Sequence, residues 1–407
     1  MWHNRNDLNG GENGEGRFAK MEASAKTAPR AGAPKKTPTK FGRFVRKNAV
    51  MLIALIAALI TMCFVPPDKE YLGYFDYKTL TCLFCVLAVV CALGNVYFFS
   101  TLARRVVVLF KTARMSVLAL VYITFLGSML IANDMALLTF LPLGYFVLHS
   151  TGKHKNMAFT FIMQNIAANL GGMLTPFGNP QNLYLYTKFQ IPTAEFVRIM
   201  LPPFLFSVTL ITLCCILFVK PEPLSLDDMQ IKMDKKRIAL YLVLFALSIA
   251  IVFRGIPYWI GLIVIPLALL IADRRALLQV DYSLLLTFVF FFVFAGNMAR
   301  IEGVRAFFSS LLKKDALLFS TASCQVISNV PSAILLSQFT DRYADLLVGV
   351  NIGGVGSLIA SLASLITLRI YSAHYPDKTL RYIGLFSAFN FSFLALLIGF
   401  MLLLRLF

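Results

Sequence analysis

Four short polar stretches interrupt an otherwise apolar sequence, and their residue types suit binding better than bond breaking. "AND" (Ala132 to Asp134) and "SNVP" (Ser328 to Pro331) each set an asparagine between apolar runs. "NLGGMLTPFGNPQN" (Asn169 to Asn182) and "NIGGVGSLIASLAS" (Asn351 to Ser364) carry too much Gly, Pro, Asn and Ser to continue as unbroken helices. Asn and Ser bring neutral donors and acceptors. A broken helix adds bare carbonyls, which attract cations, and N–H groups at a positive dipole end, which attract anions. Asp134 is the one acidic residue deep in an apolar stretch. It is placed to carry a proton or ligate a cation, or else to cap the following helix. Catalysis has little to work with: Cys82 and Cys85 form a C-x-x-C inside an apolar run, which reads as packing, and the four histidines are scattered without metal-ligand spacing. An intramembrane enzyme would need a base and nucleophile or a metal cluster. A passive channel would favour a continuous polar stripe over isolated breaks.

The elements that must position these residues are membrane helices. Of 407 residues, 58% are hydrophobic and 14% charged, and the mean hydropathy is +0.74. A soluble domain is nearer half apolar and a quarter charged. The net charge is +18. The Gly/Ala/Pro/Thr-rich segment over residues 1–47, with eleven Lys/Arg against four Asp/Glu, reads as a disordered basic cytoplasmic tail able to touch anionic lipid; no nucleic-acid motif accompanies it. Spans are predicted over Val50–Val65, Tyr77–Gly94, Met157–Tyr186 (interrupted), Phe196–Val219, Ile238–Phe253, Trp259–Ile271, Tyr282–Ala295, Leu346–Tyr371 (interrupted) and Tyr382–Leu404. The run "PPDKEY" after the first span lacks a cleavage signature, so that span is read as retained. Leu317 to Ile327 would make roughly 16 Å of helix against a hydrocarbon core of about 30 Å, so the stretch to Phe339 should dip in and return. Met115 to Leu148 has longer arms, for which two crossings remain open, although symmetry favours a hairpin.

That symmetry is an internal repeat. "DYKTLTCLFCVLAVV" from Asp76 resembles "DYSLLLTFVFFFVFA" from Asp281, "ANDMALLTFLPL" resembles "SNVPSAILLSQF", and "NLGGMLTPFGNPQNL" resembles "NIGGVGSLIASLASL", in the same order. The segments are a tail (1–47), a first transmembrane repeat (48–219), a cytoplasmic linker (220–237), a connecting span (238–256) and a second repeat (257–407). With the N-terminus in the cytoplasm, 27 of the 38 Lys/Arg fall on the cytoplasmic side. The first repeat and connecting span supply five crossings, so the second repeat starts from the opposite face. The fold class expected is an all-α integral membrane protein: an inverted-repeat transporter with about nine spanning helices, two re-entrant hairpins and two interrupted helices. Amphipathic pieces near Arg104–Lys111 and Val304–Lys314 read as interfacial helices leading into the hairpins.

The four broken stretches resemble the ion transporter superfamily, particularly its citrate-transporter-like branch, from roughly Val50 to the C-terminus. That superfamily includes sodium-coupled di- and tricarboxylate transporters, arsenite permeases and certain sodium/proton antiporters. In the carboxylate transporters each hairpin tip bears a Ser-Asn-Thr signature and each broken helix a Gly/Ala-Ser/Thr-Pro turn. By that resemblance Asn133 and Asn329 are the tip asparagines, and Ser328 keeps the signature serine. Gly178 with Asn179, and Ala360 with Ser361, occupy the two turns. The resemblance implies substrate contacts from Asn133, Asp134, Asn179, Asn329 and Ser361, and ion contacts from Asn133, Gly178, Ser328, Asn329 and Ala360. It implies no cofactor beyond sodium or protons as coupling ion, a homodimer in the plasma membrane, and one or two fewer N-terminal spans than the longer carboxylate transporters. Departures matter: Ala132 replaces a serine, Asp134 and Val330 replace threonines, and Leu362 replaces a proline. An Asp beside the substrate would repel an anion unless protonated or paired. The expected activity is secondary transport of a small organic anion such as citrate or a dicarboxylate. Arsenite or metalloid efflux is the runner-up, and sodium/proton exchange comes third.

Overall fold

The computed structural model describes residue 45 and residues 48–224 and 234–406. The expected basic tail falls almost wholly outside these residues, as does half of the linker. Helices account for nearly everything described. In the first half they are α1 (Ala49–Phe64), α2 (Tyr77–Asn95), α3 (Phe98–Val108), α4 (Ala113–Ile131), α5 (Asn133–Ser150), α6 (Met157–Gly171), α7 (Pro180–Lys188) and α8 (Thr193–Phe218). The second half comprises α9 (Lys235–Val252), α10 (Tyr258–Ala272), α11 (Arg274–Gln279), α12 (Tyr282–Arg300), α13 (Glu302–Lys314), α14 (Ala316–Ile327), α15 (Asn329–Leu336), α16 (Tyr343–Ile352), α17 (Leu362–His374) and α18 (Thr379–Leu404).

Local chemistry sets the helix starts. Asp76 and Asp281, equivalent in the two repeats, each cap a helix by accepting from the N–H three residues on, at 2.9 and 3.0 Å. Asp315 does the same for α14. Among the described residues, five helices are long and apolar enough to cross a bilayer: α2, α4, α8, α12 and the Pro376–Leu404 run. Their outward faces carry bare hydrocarbon; Ile53, Leu217, Ile263 and Ile271 are more than half exposed. Side chains of this kind, repeated on helix after helix, suit lipid rather than water. The protein is a multi-pass membrane protein.

Polar pairs sort to two opposite faces. On the first, the segment around Glu222 collects both ends of the α4–α5 pair. Thr112 forms an isolated bridge with Pro223, while Lys153 (2.9 Å) and Lys155 both bind the Glu222 carboxylate. Those two ammonium groups, Lys155 first, hold the Glu222 carboxyl down to about 2. Asn95 donates to Asp273 nearby in the same layer. The three histidines among the described residues converge here: His374 stacks on Tyr145 at 3.8 Å, His149 stacks on the same ring, and His154 lies edge-on to His149. On the second face, Arg300 pairs with Asp68 and Glu70, and Arg405 with Asp315 and Asp345.

Each helix-turn-helix packs on the broken helix of its own half, α4 on α6 and α14 on α16, and glycine permits the approach. A Cβ on Gly171 would lie 2.2 Å from the Phe125 carbonyl oxygen, and one on Gly349 would lie 2.7 Å from that of Leu317. The arms differ in length, 19 and 18 residues for α4 and α5 against 12 and 8 for α14 and α15. Outside this unit, α1 packs along α12, and α2 along α9 and α10.

Backbone cannot yield as a flexible side chain can, so Gly171→Ala should force α4 off α6 at about 1–3 kcal/mol. The measurement is thermal unfolding of purified protein in detergent: the midpoint should fall clearly for Gly171→Ala. It should hold for Gly399→Ala on α18, where a Cβ meets nothing within 4 Å.

Candidate functional site

Both helix pairs break at one residue held in a conformation that L side chains rarely adopt. Ala132 has φ 62° and ψ 154°, and Ser328 has φ 74° and ψ 160°. The next residue restarts the helix as an asparagine whose side-chain oxygen accepts from the following N–H at 2.9 Å, Asn133 to Asp134 and Asn329 to Val330. The two halves thus build the same tip. Such backbone costs on the order of 1–3 kcal/mol unless its surroundings fix it. At the second tip the fixing is visible: the Ala360 carbonyl accepts from the Asn329 N–H at 2.9 Å and from Ser328 Oγ at 3.3 Å.

The broken helices stop where expected. In the first, α6 ends at Gly171, a single turn covers Gly172–Leu174, and α7 restarts at Pro180 with Asn179 as its N-cap. The second runs from the end of α16 at Ile352 to α17, where Ser361 Oγ accepts from the Ala363 N–H at 3.2 Å. Each break strips carbonyls of helical partners, and one amide per half covers them. Asn182 Nδ2 lies 3.1–3.2 Å from the carbonyls of Gly172, Met173 and Thr175. Gln325 Nε2 reaches those of Gly353 (2.8 Å) and Val355 (3.2 Å), and its oxygen takes the Ser357 N–H.

The two halves are stitched by buried carboxamides. Asn351 donates to Asn182 Oδ1 at 2.6 Å and accepts from Asn179 at 3.2 Å and Gln181 at 3.4 Å. Within the first half Asn133 donates to Asn169 at 3.2 Å, and Asn165 reaches across to Ser364 and Asn390.

Between the tips lies a cavity of about 20 Å³, lined by Asn133, Asp134, Pro180, Gln181, Ser328, Asn329, Val330, Pro331, Ser361 and Leu362, and closed by Val50, Leu284 and Thr287 of α1 and α12. The lining contains the N-terminal ends of α5, α7, α15 and α17. Each end carries roughly half a positive charge, so together they set up about two positive charges around a space with one carboxylate. Asp134 Oδ1 is buried there without a hydrogen-bond partner. The cavity has room for a water or a small ion.

Of the residues singled out from sequence, Asn133, Asp134, Ser328, Asn329 and Ser361 line the cavity together. Asn179, Gly178 and Ala360 stand behind it. The Asn179 amide turns toward Asn169 and Asn351, and Gly178 backs onto Gly172, whose carbonyl oxygen a Cβ would meet at 2.4 Å. Ala360 contributes the carbonyl that holds the second tip. Sequence reasoning passed over Gln181, Asn182, Gln325 and Asn351, whose signal was an amide inside an apolar helix.

The sequence profile of a citrate transporter family matches residues 39–346, and the chain belongs to that family. Among relatives, an "uncharacterized transporter" of Methanocaldococcus jannaschii is 32% identical over 325 residues, covering 79% of this chain and 88% of that protein. The inner membrane protein YbiR of Escherichia coli is 29% identical over 340 residues, covering 81% and 90%. Among solved structures, the YdaH transporter of Alcanivorax borkumensis aligns over 88% of this chain and 96% of its own, at 11% identity and a TM-score of 0.44. The protein is a transporter and not an enzyme.

Gln325→Glu should expose the role of the amide. An ionised carboxylate has no N–H for the carbonyls of Gly353 and Val355, and leaving buried acceptors bare costs about 1–3 kcal/mol. Thermal unfolding should show Gln325→Glu at least as destabilised as Gln325→Leu; a stable Gln325→Glu would remove the amide from this role.

Proposed function

We propose that the chain is a secondary active carrier of a small organic anion of the citrate or dicarboxylate type, coupled to sodium or protons. The observation that carries this reading is the meeting of four helix N-termini on one cavity. Their combined field favours negative charge and answers the objection raised by Asp134, whose single carboxylate does not cancel it. Family membership points to the same class of cargo.

In this reading both helix pairs are re-entrant, entering from opposite faces. Two features support it: α14 and α15 are too short to cross, and both tips line one cavity although α4 and α5 have longer arms. The α4–α7 and α14–α17 unit moves against α1, α2 and α9–α12, so that the cavity meets each face in turn. Asp134 is the coupling site, its unpartnered oxygen taking a proton or a cation when the anion binds. The proposal places the chain as a homodimer in the plasma membrane, with the first face and the N-terminus in the cytoplasm, following the excess of Lys/Arg there.

Reconstituted protein tests this with labelled citrate and succinate under imposed sodium and proton gradients. Uphill uptake is expected, and Asn329→Ala should reduce it to the level of empty liposomes; the variant should still fold, its thermal midpoint lowered by the one N–H of Val330 left bare, at about 1–3 kcal/mol. Dissipation without accumulation would make the protein a channel. Asp134→Asn should flatten the pH dependence of uptake; an unaltered profile would reduce that carboxylate to a helix cap.

A further inference from the structure

A second and much larger cavity, about 560 Å³, opens on the second face. Its walls include Asp76 and Lys78 at the start of α2, Thr187 and Lys188 at the end of α7, Arg254 between α9 and α10, and Gln338 just beyond α15. Three cations from three separate elements therefore share one space with one carboxylate. That carboxylate is committed: Asp76 accepts from the Thr79 N–H at 2.9 Å and from its hydroxyl at 2.6 Å. The ion pairs of this face engage Arg300, Arg342 and Arg405 instead, and among the described residues no carboxylate pairs with Lys78, Lys188 or Arg254. Arg254 spends two N–H groups on the carbonyls of Tyr186 (2.7 Å) and Gln190 (3.2 Å) and stacks on the Tyr186 ring, but keeps its charge. Lys188 is bound only by the neutral Gln338 oxygen, at 3.2 Å.

We propose that this cavity is an anion-binding vestibule, in which Lys78, Lys188 and Arg254 hold a compact multivalent carboxylate before it reaches the central cavity. Its volume falls in the range of small-molecule sites, and the fields of three like charges add inside one cleft. The route inward is short. α7 carries Pro180 and Gln181 at the central cavity and Thr187 and Lys188 at the vestibule, a separation of roughly 10–12 Å. α15 spans the same gap from Asn329 to the Ser337–Gln338 end, where the Tyr184 hydroxyl joins the two helices through Ser337 at 2.9 Å. The proposal deepens the carrier reading and rests on it for the anion being cargo; its test does not use transport.

The test introduces Thr187→Cys into a Cys63→Ser background. Purified protein is labelled with anionic 2-sulfonatoethyl and cationic 2-(trimethylammonio)ethyl methanethiosulfonate, each rate being divided by that for a free small thiol. The ratio of the two normalised rates cancels any change in thiolate fraction, which both reagents share, and reads the local potential. The anionic reagent should be favoured about tenfold or more, and millimolar citrate should slow labelling where acetate at equal ionic strength does not. Lys78→Gln/Lys188→Gln, which leaves the Arg254 contacts intact, should cut the preference at least threefold and abolish citrate protection. Asn329→Ala should leave both in place. Equal rates for the two reagents in the parent, or an unchanged preference in the double variant, would overturn the vestibule. Protection that disappears with Asn329→Ala would place the anion in the central cavity and overturn it equally. Should liposome uptake of citrate fail while labelling behaves as expected, the carrier reading falls and the anion site stands.

Discussion

Main-chain carbonyl and N–H groups in hydrocarbon must find partners inside the protein, at several kcal/mol for each one that does not. The rest of this structure follows from meeting that demand at four places where helices are broken. Two breaks are single-residue tips, each closed by an asparagine folding onto the next N–H. Two are longer, and there the carbonyls are too many for local turns. Asn182 and Gln325 supply the missing donors, and Asn351 ties the first of these patches to the other half. The buried amides are thus the condition for having open helix ends at mid-protein at all.

Both halves meet the same demand with different residues. Asn182 belongs to the broken helix whose carbonyls it covers, whereas Gln325 comes from the neighbouring helix pair, one turn before the tip at Ser328. The tips, the Asp76 and Asp281 caps and the Asn169 and Asn351 positions recur in both halves. Covering amides need only reach the carbonyls, and any element within reach can carry them.

That distinction marks what was legible in the sequence. Helices appear over the expected apolar runs because length and hydropathy set them, and the breaks fall at Ala132, Ser328, Gly172–Asn179 and Gly353–Ser361 because Gly, Pro and Asn disfavour helix locally. Side-chain direction was not legible. Asn179 sits in the first turn yet points away from the cavity, since its amide is drawn to Asn169 and Asn351. Gln325 looked like one polar residue in a short apolar arm, and only the packing of α14 on α16 brings it to the Gly353 carbonyl. The arms of α4 and α5 are long enough for either reading, so length argues for re-entry at the second helix pair and says nothing about the first. The convergence of His149, His154 and His374 depends on two chain segments meeting more than two hundred residues apart, which no local pattern encodes.

The tips also explain why strain sits where it does. Backbone like that of Ala132 and Ser328 is normally reserved for glycine, yet a glycine would leave the turn free to adopt other shapes. Side chains at these positions narrow the turn, and at Ser328 the hydroxyl adds a bond to the Ala360 carbonyl. Rigid tips fix the directions of α5 and α15, and therefore where their positive ends point. Under the carrier reading this is preorganisation: the dipoles already converge before an anion arrives, so binding does not have to order them. The central cavity of about 20 Å³ is far smaller than the vestibule of about 560 Å³, so a carboxylate of any size enters only if the tips separate from Val50, Leu284 and Thr287. The strained tips can move as rigid pieces with α5 and α15, and the flexible work falls to the apolar contacts with α1 and α12, which hold no hydrogen bond to the tips and so can slide.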